Sequence, residues 1–82
     1  GIGAQVSRLN ITLMNEPGSL AEMAETIAAA RGNISNLKFT NRTADFFDMV
    51  VDIEVEDAKH LNNIVTSLRG RRSVSTVERA RS

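Results

Sequence analysis

Eighty-two residues set one domain as the upper bound, and the absence of cysteine with a single histidine, His60, excludes disulfides, thiol catalysis and zinc sites built from thiolates or histidine clusters. Ten basic and ten acidic side chains cancel, whereas a nucleic-acid binder usually carries a basic excess to neutralise phosphate. A hydrophobic content of 41 % beside 24 % charged residues is that of a globular chain whose small core leaves oligomerisation as its remaining reinforcement.

In chain order, Leu9, Ile11 and Leu13 alternate with polar neighbours, which predicts a first strand over Val6 to Leu13. Asn15, Pro17, Gly18 and Ser19 form a turn, and Ser19 followed by Glu22 reads as a capping box that opens a helix. Leu20, Met23, Ala24, Ile27 and Ala28 give that helix its apolar stripe, and Gly32 is expected to end it in the left-handed conformation. Ile34 to Thr40 reads as a second strand with Leu37 and Phe39 inward, followed by a turn at Asn41, Arg42 and Thr43. The clearest alternation is Phe47, Met49, Val51, Ile53 and Val55 in the third strand. Asp57 should cap a second helix with Leu61, Ile64, Val65 and Leu68 inward, Gly70 should end it, and Ser73 to Glu78 completes the set as a last strand.

The order strand, helix, strand, strand, helix, strand predicts a ferredoxin-like βαββαβ α+β sandwich, a four-stranded antiparallel sheet with both helices on one face. The domain is expected over residues 6–79, with 1–5 a junction or cloning remnant and 80–82 a tail. The longest apolar run, Ile27 to Ala30, is far too short for a membrane span, and no leader is seen, so a cytoplasmic protein without a membrane partner is expected.

Charge is balanced in total but not along the chain. Ala44 to Ala58 sums to −6 and Arg69 to Ser82 to +4. Either these are two solvated faces, or the C-terminal arginines meet an acidic surface on this chain or another. Catalysis is not expected, because His60 lies in a polar context and Asp52 and Glu54 share an outward strand face without an implied pocket. RNA binding on the open sheet face needs stacking aromatics in a basic surround. Here Phe46 stands among Asp48, Asp52 and Glu54, with no tryptophan or tyrosine in the chain. The strand-to-helix loop is the remaining candidate: its helix N-terminus suits a carboxylate, Gly18 lets a ligand approach the backbone, and Asn15 suits a zwitterion. A tight turn with an ordinary cap explains the same residues.

The run Leu9-Asn10-Ile11-Thr12-Leu13-Met14-Asn15-Glu16-Pro17-Gly18-Ser19-Leu20 resembles the first strand and ligand loop of ACT domains. Arg31-Gly32-Asn33-Ile34 is similar to that family's exit from its first helix into its second strand, and the resemblance extends over Val6 to Arg79. In the second half, Met49 to Asp57, His60-Leu61, Ile64, Leu68-Arg69 and Val74 to Arg79 resemble the C-terminal ACT domain of Rel/SpoT enzymes. Those are bifunctional proteins that make and hydrolyse guanosine tetra- and pentaphosphate, (p)ppGpp, in the stringent response. The loop half is also similar to the valine-sensing regulatory subunit of acetohydroxyacid synthase, but the arginine-rich ending favours Rel/SpoT.

The resemblance implies a non-catalytic regulatory domain without a cofactor or metal. It places ligand contacts at Asn15, Glu16, Gly18, Ser19 and Leu20, with Asn33 and Ile34 completing the site from a partner chain. The implied aliphatic walls favour a branched-chain amino acid, valine or isoleucine. Implied partners are a second copy paired by sheet extension, catalytic domains upstream in the parent protein, and a ribosome contact of the full-length protein. The alternative of another class is a protein or ribosomal-RNA interaction module with no small-molecule ligand.

Overall fold

The computed structural model describes residues 5–80. Of the expected junction, 1–5, residues 1–4 lie outside that range, as do the last tail residues, 81–82, and Gln5 already belongs to the first strand. The elements run β1 (Gln5–Met14), α1 (Ser19–Ala29), β2 (Asn33–Arg42), β3 (Phe46–Val55), α2 (Ala58–Arg69) and β4 (Val74–Arg79). They build one four-stranded sheet in the order β2-β3-β1-β4, antiparallel throughout, which is the ferredoxin-like arrangement.

The register follows from burial. β1 and β3 pair so that Leu9 faces Val51 and Ile11 faces Met49, which puts both apolar sets on one side. All four are at most 1 % exposed, with Met23 and Ile27 of α1 and Ile64 and Leu68 of α2 closing over them. The outer strands deviate from strict alternation. In β2 the register shifts between Ile34 and Asn36 and again between Phe39 and Asn41, so Ile34 and Leu37 share a face three residues apart. In β4 Val74 and Val77 are both buried because the pairing to β1 shifts between Thr12 and Leu13.

Three expectations about α1 change. The N-cap is Gly18, at φ 85°, and no side chain caps it. The capping box does not form, because Ser19 is buried at 3 % exposure and the Glu22 carboxylate instead accepts from the Ser73 hydroxyl. The apolar stripe is rotated accordingly: Ser19 and Thr26 turn inward, whereas Leu20 is 39 % exposed and Ala28 is exposed. Thr26 can be buried because its hydroxyl donates to the Glu22 carbonyl (2.7 Å) and accepts from Arg71 Nε (3.1 Å).

The third change is at the C-terminus of α1. Arg31, not Gly32, takes the left-handed conformation, at φ 69°. The Gly32 N–H reaches the Ile27 carbonyl (2.9 Å) and the Arg31 N–H the Ala28 carbonyl (2.9 Å), the paired bonds of a Schellman motif. Gly32 is needed for space. A Cβ there would stand 2.8 Å from Ile64 Cδ1 and 3.0 Å from Ile27 and Ile53 Cγ2.

Asp57 caps α2 as expected, accepting from the His60 N–H at 2.8 Å, while Gly70 ends the helix in a right-handed conformation. His60 is half-buried. Its Nδ1 accepts from the Glu56 N–H (2.9 Å), which leaves Nε2–H to donate to the Ala30 carbonyl (2.7 Å). The ring therefore pins the start of α2 to the end of α1.

Gly32→Ala is expected to destabilise the fold by about 1–3 kcal/mol through overpacking, while Arg31→Gly is expected to stabilise it by up to about 1 kcal/mol through relief of the left-handed residue. Urea unfolding of both variants measures the difference, and equal midpoints would show that the two positions are interchangeable.

Candidate functional site

The β1–α1 loop is held from both sides. The Asn15 N–H donates to the Asp45 carbonyl (2.9 Å), and its side-chain Nδ2 donates to the Thr43 carbonyl (2.8 Å), so Asn15 ties the loop to the β2–β3 turn. On the other side, the Met14 N–H donates to the Ser73 carbonyl (2.8 Å) and the Ser73 hydroxyl to Glu22. Between these anchors the Ser19 N–H is taken by the Glu16 carbonyl at 3.2 Å. The N–H groups of Leu20 and Ala21 begin the helix and have no acceptor within it. Apart from Gly18 itself and its two chain neighbours, no heavy atom among the described residues lies within 4 Å of where a Gly18 Cβ would stand, so the left-handed Gly18 faces open space.

An open cavity of about 280 Å³ lies there, lined by Glu16, Pro17, Gly18, Ser19, Glu22, Arg72 and Ser73. Pro17, Glu22, Arg72 and Ser73 are additions to the expected set, and Asn15 and Leu20 are not among the cavity's lining residues. Arg72 and Ser73 come from the α2–β4 connection, more than fifty positions along the chain, and no local pattern announces them. A larger cavity of about 470 Å³, with Val6, Arg8, Asp52 and Arg79 on its wall, lies toward the other end of the sheet. Its charged lining is already committed, since Arg8 holds Asp52 in a two-pronged ion pair (2.8 and 3.1 Å).

Asn15, Glu16 and Gly18 thus share one loop, which Ser19 and Leu20 continue as the first residues of α1, but Asn33 and Ile34 are not beside it. Asn33 pairs with Glu54 and Ile34 with Ile53, while the loop abuts Asp45 just before Phe46. Along β3 that separation is roughly 25 Å at about 3.3 Å per residue. Asn33 donates to the Glu54 carboxylate (2.8 Å), and Ile34 is half-buried against the core.

Among the described residues, Arg69, Arg71 and Arg79 hydrogen-bond elsewhere than to the acidic strand β3. Arg69 donates to the Val77 carbonyl (2.7 Å), Arg71 to Thr26, and Arg79 to Asn62, while Arg8–Asp52 is the ion pair among the described residues. On the open sheet face, Thr12 donates to Asp48 (2.7 Å), and Phe46 is 42 % exposed beside these carboxylates. No helix among the described residues is long and apolar enough to cross a membrane.

With this geometry in place, the comparisons define the class. The chain belongs to the ACT domain family, whose model matches residues 3–79. Among known proteins it is similar to the GTP pyrophosphokinase rsh of Brucella ovis and of Brucella abortus, 44 % identical over 73 residues in each case. That match takes in 89 % of this chain but spans only 10 % of the relatives' length. Among solved structures, the crystal structure of the ACT domain from GTP pyrophosphokinase of Chlorobium tepidum superposes with a TM-score of 0.79 at 22 % identity, covering 94 % of this chain and 99 % of that one. A homoserine dehydrogenase from Thiobacillus denitrificans shares the fold at a TM-score of 0.66 and 18 % identity, over 95 % of this chain and 18 % of its own.

Two carboxylates make this architecture acid-sensitive. The hydrogen bond from Ser73 holds the Glu22 carboxyl below its ordinary range against the opposing effect of desolvation, with Arg71 adding to the lowering. The bond from Arg8 does the same for Asp52. Both folded-state values are depressed, so their stabilisation is present above the unfolded carboxylate range, near pH 4, and is lost as pH falls through the folded values. The melting temperature should therefore hold from about pH 7 to 5 and fall below about pH 4. Glu22→Gln should melt lower at pH 7 and lose less on acidification, and parallel melting curves for the two proteins would contradict the assignment.

Proposed function

We propose that this chain is the regulatory domain of a guanosine tetra- and pentaphosphate synthetase/hydrolase and that it binds valine or isoleucine at the β1–α1 loop of a homodimer. The observation that carries the reading is the left-handed Gly18 with open space before it, at the start of a helix whose Leu20 and Ala21 N–H groups have no acceptor within α1. A carboxylate fits those donors, and the exposed Leu20 offers an aliphatic surface beside them. Arg72 lines the same cavity together with Glu16 and Glu22, so charges of both signs border the space a zwitterion would occupy. Similarity to the Brucella proteins named GTP pyrophosphokinase supports the parent enzyme, whose catalytic domains would lie outside this segment.

The dimer supplies what one chain lacks. β2 is an edge strand that ends beside the turn anchored by Asn15 and starts at Asn33. Two copies paired antiparallel through β2 bring Asn33 and Ile34 of each toward the Asn15 loop of the other. Ligand binding and pairing would then be coupled, which gives the domain a means to bias attached catalytic domains. A ribosome contact of the parent protein is compatible with this arrangement and independent of it.

Calorimetric titration of the 82-residue chain with valine and isoleucine is expected to give a dissociation constant of about 0.1–1 mM, or about −4 to −5.5 kcal/mol. Gly18→Ala should weaken binding about tenfold or more by straining the loop and obstructing the backbone. Asn15→Ala should weaken it by loosening the tie to Thr43, and His60→Ala, away from the loop, should leave it unchanged. The same affinity in all three variants would place the site elsewhere.

A further inference from the structure

The sheet has two edges, β2 and β4, and either is a template for a second copy of the chain. They are not equally open. The Ala80 N–H donates to the Arg8 carbonyl (3.0 Å), so the even-numbered residues of β1 exchange hydrogen bonds with β4. Leu9–Arg79 and Ile11–Val77 are then the wide pairs, and the backbone groups of Val77 and Arg79 point away from β1, out of the edge.

At that edge Arg69, in the last turn of α2, puts its guanidinium on the Val77 carbonyl at 2.7 Å. The Arg79 side chain folds back onto Asn62 of α2. By the same parity β2 directs the backbone groups of Ile34, Leu37, Phe39 and Arg42 outward, because the Thr43 N–H bonds the Phe46 carbonyl and sets the even residues of β3 toward β2. Among the described residues no side chain is hydrogen-bonded to a β2 backbone group.

We infer that Arg69 seals the β4 edge, so that a second copy of this chain can extend the sheet only through β2. A sheet open at both edges would add copies without limit, whereas one sealed edge closes the assembly at two. This goes beyond the ligand and dimer reading above and can be tested apart from it. The chemistry of Arg69 suits such a seal, because a guanidinium occupies an edge carbonyl with charge-assisted donors and places a cation where an incoming strand would have to dock.

The test is sedimentation velocity on the 82-residue chain and its Arg69→Ala variant across about 10 µM to 1 mM, with circular dichroism to confirm folding. The wild type should level off at dimer, whereas Arg69→Ala should continue to species at least twice that mass. Arg69→Lys, which keeps a cationic donor, should behave as wild type. Adding Arg79→Pro to Arg69→Ala removes an outward edge donor without touching the ladder to β1 and should restore the wild-type size. A folded Arg69→Ala with the wild-type size distribution would overturn the inference, as would growth that Arg79→Pro does not stop. Should Arg69→Ala fail to fold, amide exchange of the wild type decides: Val77 and Arg79 amides that gain protection with concentration would overturn it, and unchanged ones would support it. A wild type that stays monomeric removes the β2 dimer alone, since Arg69→Ala still reports on the β4 edge.

Discussion

The in-phase pairing of β1 with β3 is the constraint on which everything else depends. Leu9, Ile11 and Leu13 lie opposite Val51, Met49 and Phe47, and a slip of one residue would leave one strand's set on the core and turn the other's to the open face. On that face the same register sets Arg8 beside Asp52 and Thr12 beside Asp48, so the polar pairs and the core select one alignment together. Once it is fixed, both helices have one place to bury their stripes, and the β1–α1 loop leaves the sheet beside the β2–β3 turn. The loop's position is thus a consequence of sheet register before any of its own hydrogen bonds form.

How much of this was legible in the sequence divides along a physical line. β3 could be read outright, because a strand paired on both sides and buried on one face shows strict alternation. The cap at Asp57 was equally readable, since its acceptor and donor lie three residues apart. The edge strands were less so: register shifts bring Ile34 with Leu37 and Val74 with Val77 to the same side, a spacing that mimics helix more than strand. In α1 the inward turn of Ser19 and Thr26 was hidden, because what permits it is the α2–β4 connection, where Arg71 meets Thr26 and Ser73 meets Glu22. His60 follows the same rule. Its backbone role was visible locally, but its ring bond to Ala30 spans thirty positions.

At the candidate site the loop residues and Gly18 were legible, whereas Arg72 was not, because its connection joins the loop only in the folded chain. Sequence proximity also misleads about Gly32. Two adjacent residues, Arg31 and Gly32, face two different demands, a left-handed backbone and a gap among Ile27, Ile53 and Ile64. A left-handed conformation costs an ordinary residue about 1–2 kcal/mol. A Cβ lodged among three isoleucine side chains strains the core around it. The glycine stands where space is the tighter constraint.

The distance between the two halves of the expected ligand site has a thermodynamic consequence. The Asn15 loop and Asn33–Ile34 sit near opposite ends of the sheet, so no motion that preserves the β2–β3 ladder can unite them within one chain. In the proposed β2-paired dimer the symmetry axis brings them together twice, which makes the association equilibrium part of the binding equilibrium. A ligand that touches both chains must then tighten the dimer by the same factor by which pairing tightens the ligand. In that proposed dimer the loop's fixed geometry would strengthen the coupling. Asn15, Met14 and Glu22 hold the loop from the β2–β3 turn and from Ser73, so little of a ligand's free energy would go into ordering it. What remains can appear as a change in how firmly two copies are joined, and that change can be transmitted to whatever each copy is attached to.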